Sequence, residues 1–378
     1  MRSMHKPKKF SLKNLSVLTR YSILRMTVAI LIGLSLAAVL IVCTAKDPAK
    51  ALYYFFIAPT LNITYLSYWI DEAVLLILMG VAVCIMFSAN QFNLGLEGSF
   101  YLGGFTACLS GLYLTGIKDV PFLSPTVSLL LAGIVGALVT LIPALLKKKW
   151  NASVMVSSLM MNYICLYFGM YLLFAFFKDP ATSKHTYQLS ETSQLLHFVT
   201  NTKINTGIFI AIIVTFLGWL FLYHTKLGVK VREVGQSAVF AKYCGINVTT
   251  VAIIAQVIGG FIGGLGGGVR MLGLFDRFNW TELTGYGWDG ITIAIFAHNN
   301  PKNVPIAALF IAYLRAGASV MSYKAGVQTE LTSVVEGIIV LFLLAERFLS
   351  GTYRKMIFQE ASAKREDEQK QLAGKEVK

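Results

Sequence analysis

Two tetrapeptides carry the clearest chemistry in this chain. Gly95-Leu96-Glu97-Gly98 and Gly287-Trp288-Asp289-Gly290 both read glycine, any residue, acid, glycine. A carboxylate in the first turn of a helix is stabilised by the free N–H groups there and by the helix dipole. Flanking glycines let neighbouring backbones approach closely. Two readings stand open: Glu97 and Asp289 are capping acids among packing glycines, or they line a path or a gate. Upstream, Asn90, Gln91 and Asn93 offer amides that hydrogen-bond a neutral polar solute without adding charge, and the Ser99 hydroxyl follows. The stretch 90–93 is either a re-entrant, path-lining segment or an ordinary surface turn; non-helical backbone at membrane depth survives only inside protein or beside water. Arg315 and Glu336 are charges inside apolar blocks, which marks them as functional suspects. At about 1.5 Å per residue both fall within roughly 10 Å of the same side. They are close enough to pair, and two readings stand open: a structural ion pair or snorkelling charges, or an outer gate.

The elements that hold these residues are apolar helices. Of the 378 residues, 56% are hydrophobic and 14% charged, whereas a soluble domain carries about a quarter charged residues. A helix needs about 20 mostly apolar residues to cross a bilayer. By that measure the chain is all-α and polytopic, with ten spans near 25–43, 70–88, 95–115, 125–146, 154–177, 205–223, 249–272, 287–298, 304–321 and 332–349. The eighth is short enough to be a broken helix. Residues 1–24 form a basic arm, 25–349 the transmembrane domain, and 350–378 a charged tail.

The net charge of +14 does not point to nucleic acid, because much of the basic charge sits at the ends of apolar blocks. That is where orientation signals lie. Lys147, Lys148 and Lys149 close one span, and Lys226, Lys230, Arg232 and Lys242 crowd the segment 224–248. Both termini are therefore expected in the cytoplasm, with 178–204 as an external loop. The basic arm before Met26–Cys43 is like a signal peptide, but Val42 stands where a small residue would precede a lipoprotein cysteine, and further spans follow. An uncleaved first helix is expected. The five cysteines form no C-x-x-C pair, so neither a disulfide framework nor a metal site is indicated.

The two Gly-x-acid-Gly motifs each follow one span and precede two more. Spans two to five thus correspond to spans seven to ten, as repeat halves of about 70–177 and 249–349. The third span starts inside and the eighth outside, so the halves are expected to be inverted, a plan that puts a solute path at the repeat interface.

In the segment 224–248, Ser237 is a plausible N-cap and Gly245 sits where a C-terminal glycine belongs. A two-turn helix fits between them, with Val239, Phe240 and Tyr243 giving it an apolar side suited to a partner's groove. The glycine-dense run Gly259–Gly268 reads as close helix packing. It is not G-x-x-x-x-G-K-[ST], and no Walker A motif occurs anywhere. If ATP drives this protein, another chain must hydrolyse it. H-E-x-x-H and G-x-S-x-G are likewise missing, which argues against a membrane enzyme.

Three stretches together carry a family likeness. They are Asn93–Gly98, the run from Arg232 to Gly245-Ile246, and Gly287–Pro301 followed by Leu314-Arg315-Ala316-Gly317-Ala318. The chain resembles the permeases of ABC importers of the branched-chain amino acid, ribose and simple-sugar superfamily, in particular the nucleoside importers served by basic membrane lipoproteins. The likeness runs from about Asp47 to Leu349. It implies a bacterial inner-membrane location, a pair of permeases (two copies or a sister chain), two ABC ATPase subunits and an external substrate-binding lipoprotein. It also implies that Arg232, Glu233, Gly235, Ser237, Phe240, Lys242, Tyr243 and Gly245 couple the chain to the ATPase. Ser99 departs from the glutamine common in the family, and Val239-Phe240 from a basic residue followed by alanine. The function expected is ATP-driven import of a nucleoside or simple sugar, with Asn90, Asn93, Glu97, Ser99 and Asp289 bordering the path and no cofactor. The alternative is a secondary transporter driven by an ion gradient, which Glu97, Asp289 and Glu336 would also suit.

Overall fold

The computed structural model describes residues 45–327 apart from 46, 115–119, 121, 182–183 and 199–201, together with parts of 28–43 and 334–341. The chain divides into two units, one of residues 53–326 and one formed by 1–52 with 327–378. The arm 1–24, the tail 350–378, nearly all of the tenth expected span and Glu336 lie outside the described residues. The first expected span is described in part, as helix within Leu31–Cys43.

The described helices are α1 (Pro48–Phe56), α2 (Ala58–Leu61), α3 (Ile63–Ser88), α4 (Leu96–Tyr113), α5 (Leu123–Trp150), α6 (Val154–Leu172), α7 (Gly207–His224), α8 (Lys226–Gln236), α9 (Ala238–Tyr243), α10 (Val248–Leu274), α11 (Tyr286–Phe296) and α12 (Val304–Ala325). A π-helical turn, Leu173–Phe177, extends α6. Each expected span from the second to the ninth has its helix. Among the described residues six are long and apolar enough to cross a membrane: α3, α5, α6 with its π turn, α7, α10 and α12. The glycines, serines and glutamate of α4 dilute its hydropathy. The 11 residues of α11 reach only about 16 Å, half a hydrocarbon core.

Helices α1 and α2 precede the second expected span, and α3 starts at Ile63 because the Asn62 side chain accepts the Thr64 N–H. One expectation is corrected. The segment 224–248 holds two helices where one was expected. Arg232, Glu233 and Gly235 lie in α8, whose narrow apolar stripe buries Val231 and Val234. That stripe is too short for a span-length window to register.

At the centre, α10 lies against α4 and α5 along the glycine run. A Cβ added at Gly267 would overlap the Phe100 carbonyl oxygen, and one at Gly264 the Ala132 carbonyl oxygen. Only hydrogen at those positions lets the three backbones meet. The polar segment 178–205 is tied to the extended chain after α10: Thr186 and Leu189 donate their N–H groups to the carbonyls of Phe278 and Asp276 at 3.2 and 2.8 Å.

Candidate functional site

Helix α3 ends with Asn90 in the left-handed region (φ 53°), a conformation that asparagine tolerates. The chain then turns inward. Gln91 and Asn93 are buried, whereas Asn90 and Phe92 are exposed. Asn93 donates to the Gln256 amide oxygen at 2.8 Å and accepts the Gly95 N–H at 2.8 Å. Gln91 accepts from Lys147 Nζ at 2.9 Å. Helix α6 completes the cradle. Ser158 Oγ accepts the Leu94 N–H, and Asn162 accepts the Gly98 N–H while donating to the Leu94 carbonyl, each at 2.9 Å. Two of the donors that open α4, the N–H groups of Gly95 and Gly98, are thus satisfied by side chains. Ser99 Oγ donates to the carbonyl of Gly136 at 3.1 Å and also lies 3.2 Å from that of Gly95.

Glu97 sits in the first turn of α4, but its carboxylate serves the segment that opens α11. It accepts the Thr284 hydroxyl at 2.9 Å and the backbone N–H groups of Gly285 and Gly287 at 2.6 and 2.5 Å. Gly285, at φ +87°, is the N-cap of α11 and has no side chain with which to cap it. Helices α4 and α11 therefore meet N-terminus to N-terminus, with one buried carboxylate (1% exposed) between them.

Asp289, the matching acid, has a different partner. Arg315 of α12 grips it with two hydrogen bonds of 2.6 Å and reaches Glu72 of α3 at 3.2 Å. Glu72 also accepts from the Tyr286 hydroxyl at 2.9 Å. Next to it, Asp71 pairs with Arg270 of α10 at 2.6 Å, and the Arg270 guanidinium stands 5.4 Å from the Tyr286 ring centre. The sequence reading of Arg315 looked to Glu336, which lies outside the described residues. It missed Asp71, Glu72 and Arg270, although charge within an apolar span was the available signal.

The residues read as ATPase-coupling form a compact end piece. Ser237 Oγ accepts the Phe240 N–H at 3.3 Å and so caps α9, and Gly245 follows at φ +76°. Val239, Phe240 and Tyr243 are 68%, 58% and 87% exposed. Lys242 is in the last turn of α9. In α8, Gly235 packs on the Ser88 carbonyl with no room for a Cβ. The Arg232 guanidinium lies 4.8 Å from the Tyr223 ring centre, and the Glu233 carbonyl accepts the Ser237 N–H at 3.0 Å. Among the described residues no group of three or more His, Cys, Asp or Glu is placed to hold a metal ion.

Comparison with known proteins gives one family. Its signature, described as the permease component of a branched-chain amino acid transport system, matches residues 65–344. The guanosine ABC transporter permease protein NupP of Bacillus subtilis is 28% identical over 335 residues, covering 87% of this chain and 95% of that protein. The glucose ABC transporter permease protein TsgB13 of Haloferax volcanii is 28% identical over 84% of this chain and 86% of its own. A second Bacillus subtilis protein, the guanosine ABC transporter permease protein NupQ, is 28% identical over 59% of this chain and 72% of its own.

Proposed function

The chain belongs to the family of permease components of branched-chain amino acid transport systems, and on that basis we propose that it carries a nucleoside, or a related simple sugar, inward through an ATP-driven importer. It is a multi-pass membrane permease, a transport component and not an enzyme. The observation that carries the substrate class is the match to NupP, which extends over nearly the whole of both chains. A neutral solute also suits a site where each described acid already faces donors of its own, Glu97 the α11 amides and Asp71, Glu72 and Asp289 two arginines.

Under this reading ATP is hydrolysed by a separate ABC ATPase subunit that docks on α9, where Phe240 and Tyr243 stand clear of the fold. A second permease completes the path; that Bacillus subtilis has two guanosine permeases similar to this chain supports a sister chain. An external lipoprotein delivers the solute, the protein lies in the bacterial inner membrane, and both termini are cytoplasmic. Asn90, Asn93, Glu97, Ser99 and Asp289 border the path. The protein contacts of Asn93, Glu97, Ser99 and Asp289 would loosen as the halves separate.

Uptake of labelled nucleosides by a strain lacking this gene tests the substrate class, with the restored strain alongside. Loss of uptake that the restored gene recovers is expected. Unchanged uptake of every nucleoside would remove that class. Transport by the purified chain alone, without an ATPase, would instead favour the ion-gradient alternative.

A further inference from the structure

Helix α6 carries Tyr163, Tyr167 and Tyr171, which are 49%, 65% and 61% exposed. Four-residue spacing places them on one helix face. The opposite face, with Ser158, Asn162, Cys165 and Gly169, is buried. Lys147, Lys148, Lys149 and Trp150 precede this span and Lys178 follows it, so its depth is bracketed. At about 1.5 Å per residue, Tyr163 lies roughly 14 Å from the Val154 end and Tyr167 roughly 20 Å. In a span of 24 residues both are farther from either end than a tyrosine side chain reaches. The interfacial preference of tyrosine accounts for Tyr171 but not for these two.

Among the described residues none of the three hydroxyls has a hydrogen-bond partner. A hydroxyl held in hydrocarbon without one is unfavourable. Apolar Met160, Ile164 and Phe168 are exposed beside the tyrosines; the next span in sequence gives the contrast. The exposed side chains of α7 include Phe209, Ile212, Ile213, Phe216 and Leu217, which carry no polar atom and suit lipid. We propose that the tyrosine face of α6 walls the water-filled solute path and that Tyr163 and Tyr167 are solute-binding residues. Their hydroxyls bond the hydroxyl groups of a sugar, and their rings stack on a planar base. No charged side chain occurs from Val154 to Phe177, so the wall selects a neutral solute. This assignment rests on the permease reading; the tyrosine face is turned away from the α4 side that Ser158 and Asn162 hold, so it forms a stretch of the path apart from Asn93, Glu97 and Ser99.

Water access tests it independently of the solute. Cys43 and Cys244, the exposed cysteines among the described residues, are first replaced by serine in the assembled transporter. Tyr163→Cys and Tyr167→Cys are then treated with a charged, water-soluble methanethiosulfonate, with Ile213→Cys on α7 as the lipid-facing reference. Both tyrosine positions should react at least about ten times faster than the reference, since only a water-filled path admits a charged reagent. Rates equal to the reference would put the face in lipid and overturn the assignment. An unreactive Tyr167→Cys that crosslinks to a second permease would put it in a dry seam and overturn the assignment as well. Fast labelling that excess nucleoside does not slow would keep the path and reject the nucleoside. Tyr167→Phe keeps the ring and should raise the KM for uptake by about five- to tenfold, the loss of one hydrogen bond, and an unchanged KM would remove Tyr167 from the solute.

Discussion

The Glu97 carboxylate accepts the backbone N–H of Gly287 at 2.5 Å, across 190 positions of sequence. Each residue belongs to the Gly-x-acid-Gly motif of its own half, so the two motifs touch. The acid of one caps the helix of the other. Meanwhile Asp289, the acid in the second motif, is held by Arg315. The acids of two matching motifs thus do different work.

Removing the shared cap should be costly. Glu97→Ala leaves the buried Gly287 N–H and the part-buried Gly285 N–H and Thr284 hydroxyl without their acceptor, at about 1–3 kcal/mol for the buried group. The thermal unfolding midpoint of the purified protein is expected to fall by several degrees. Thr284→Ala, which removes one donor and leaves the carboxylate its two amides, should fall less. Equal midpoints for Glu97→Ala and the parent protein would mean that the cap is dispensable.

Arg315 and Asp289 offer a double-mutant test. Arg315→Ala leaves Asp289 and Glu72 without the guanidinium, and Arg315→Lys loses the two-pronged grip. Both are expected to destabilise, Arg315→Ala by about 1–3 kcal/mol given that the pair is partly exposed. Adding Asp289→Ala to Arg315→Ala should restore part of the loss, because one stranded charge is gone. Strictly additive effects in thermal unfolding would show the pair to be uncoupled.

Gly267→Ala is a packing test with an unambiguous sign. Alanine favours a helix interior over glycine by about 0.5–1 kcal/mol, so propensity alone predicts a more stable protein. The added Cβ would collide with the Phe100 carbonyl oxygen. Loss of folded, monodisperse protein on size-exclusion chromatography is expected, and a normal profile would contradict the close approach of α4 and α10.

Phe240→Asp separates docking from folding. Phe240 is exposed, and surface changes of this kind usually stay within about 0.5 kcal/mol. The unfolding midpoint should hold, while co-purification with the ATPase subunit and solute uptake are lost. Retained co-purification would move the docking surface away from α9.

A pH dependence is expected from Asp179. Its carboxyl is held below the ordinary carboxylate range, first by the Ala181 N–H at 2.9 Å and then by the Arg277 guanidinium at 2.8 Å. A depressed folded-state value gives stability that is present above about pH 4, the unfolded value, and is lost as pH falls through the folded one. The parent protein should lose stability over that acid window more steeply than Asp179→Asn. Parallel curves would show that the carboxylate contributes nothing.

Features that fit inside a short window were legible in the chain without its fold. Apolar blocks mark the spans because crossing hydrocarbon is a property of about 20 consecutive residues. Ser237 and Gly245 mark the ends of α9 because a cap acts within one turn. The run Gly259–Gly268 announces close packing because small residues are what such contacts require. The pairings came only with the packed bundle. Asp71 meets Arg270 across 199 positions and Glu72 meets Arg315 across 243, and Glu97 caps a helix that is not its own. A carboxylate takes whichever donors the packing brings to it, and the meeting of two helix ends is set by the whole bundle, beyond the reach of residues near each in sequence.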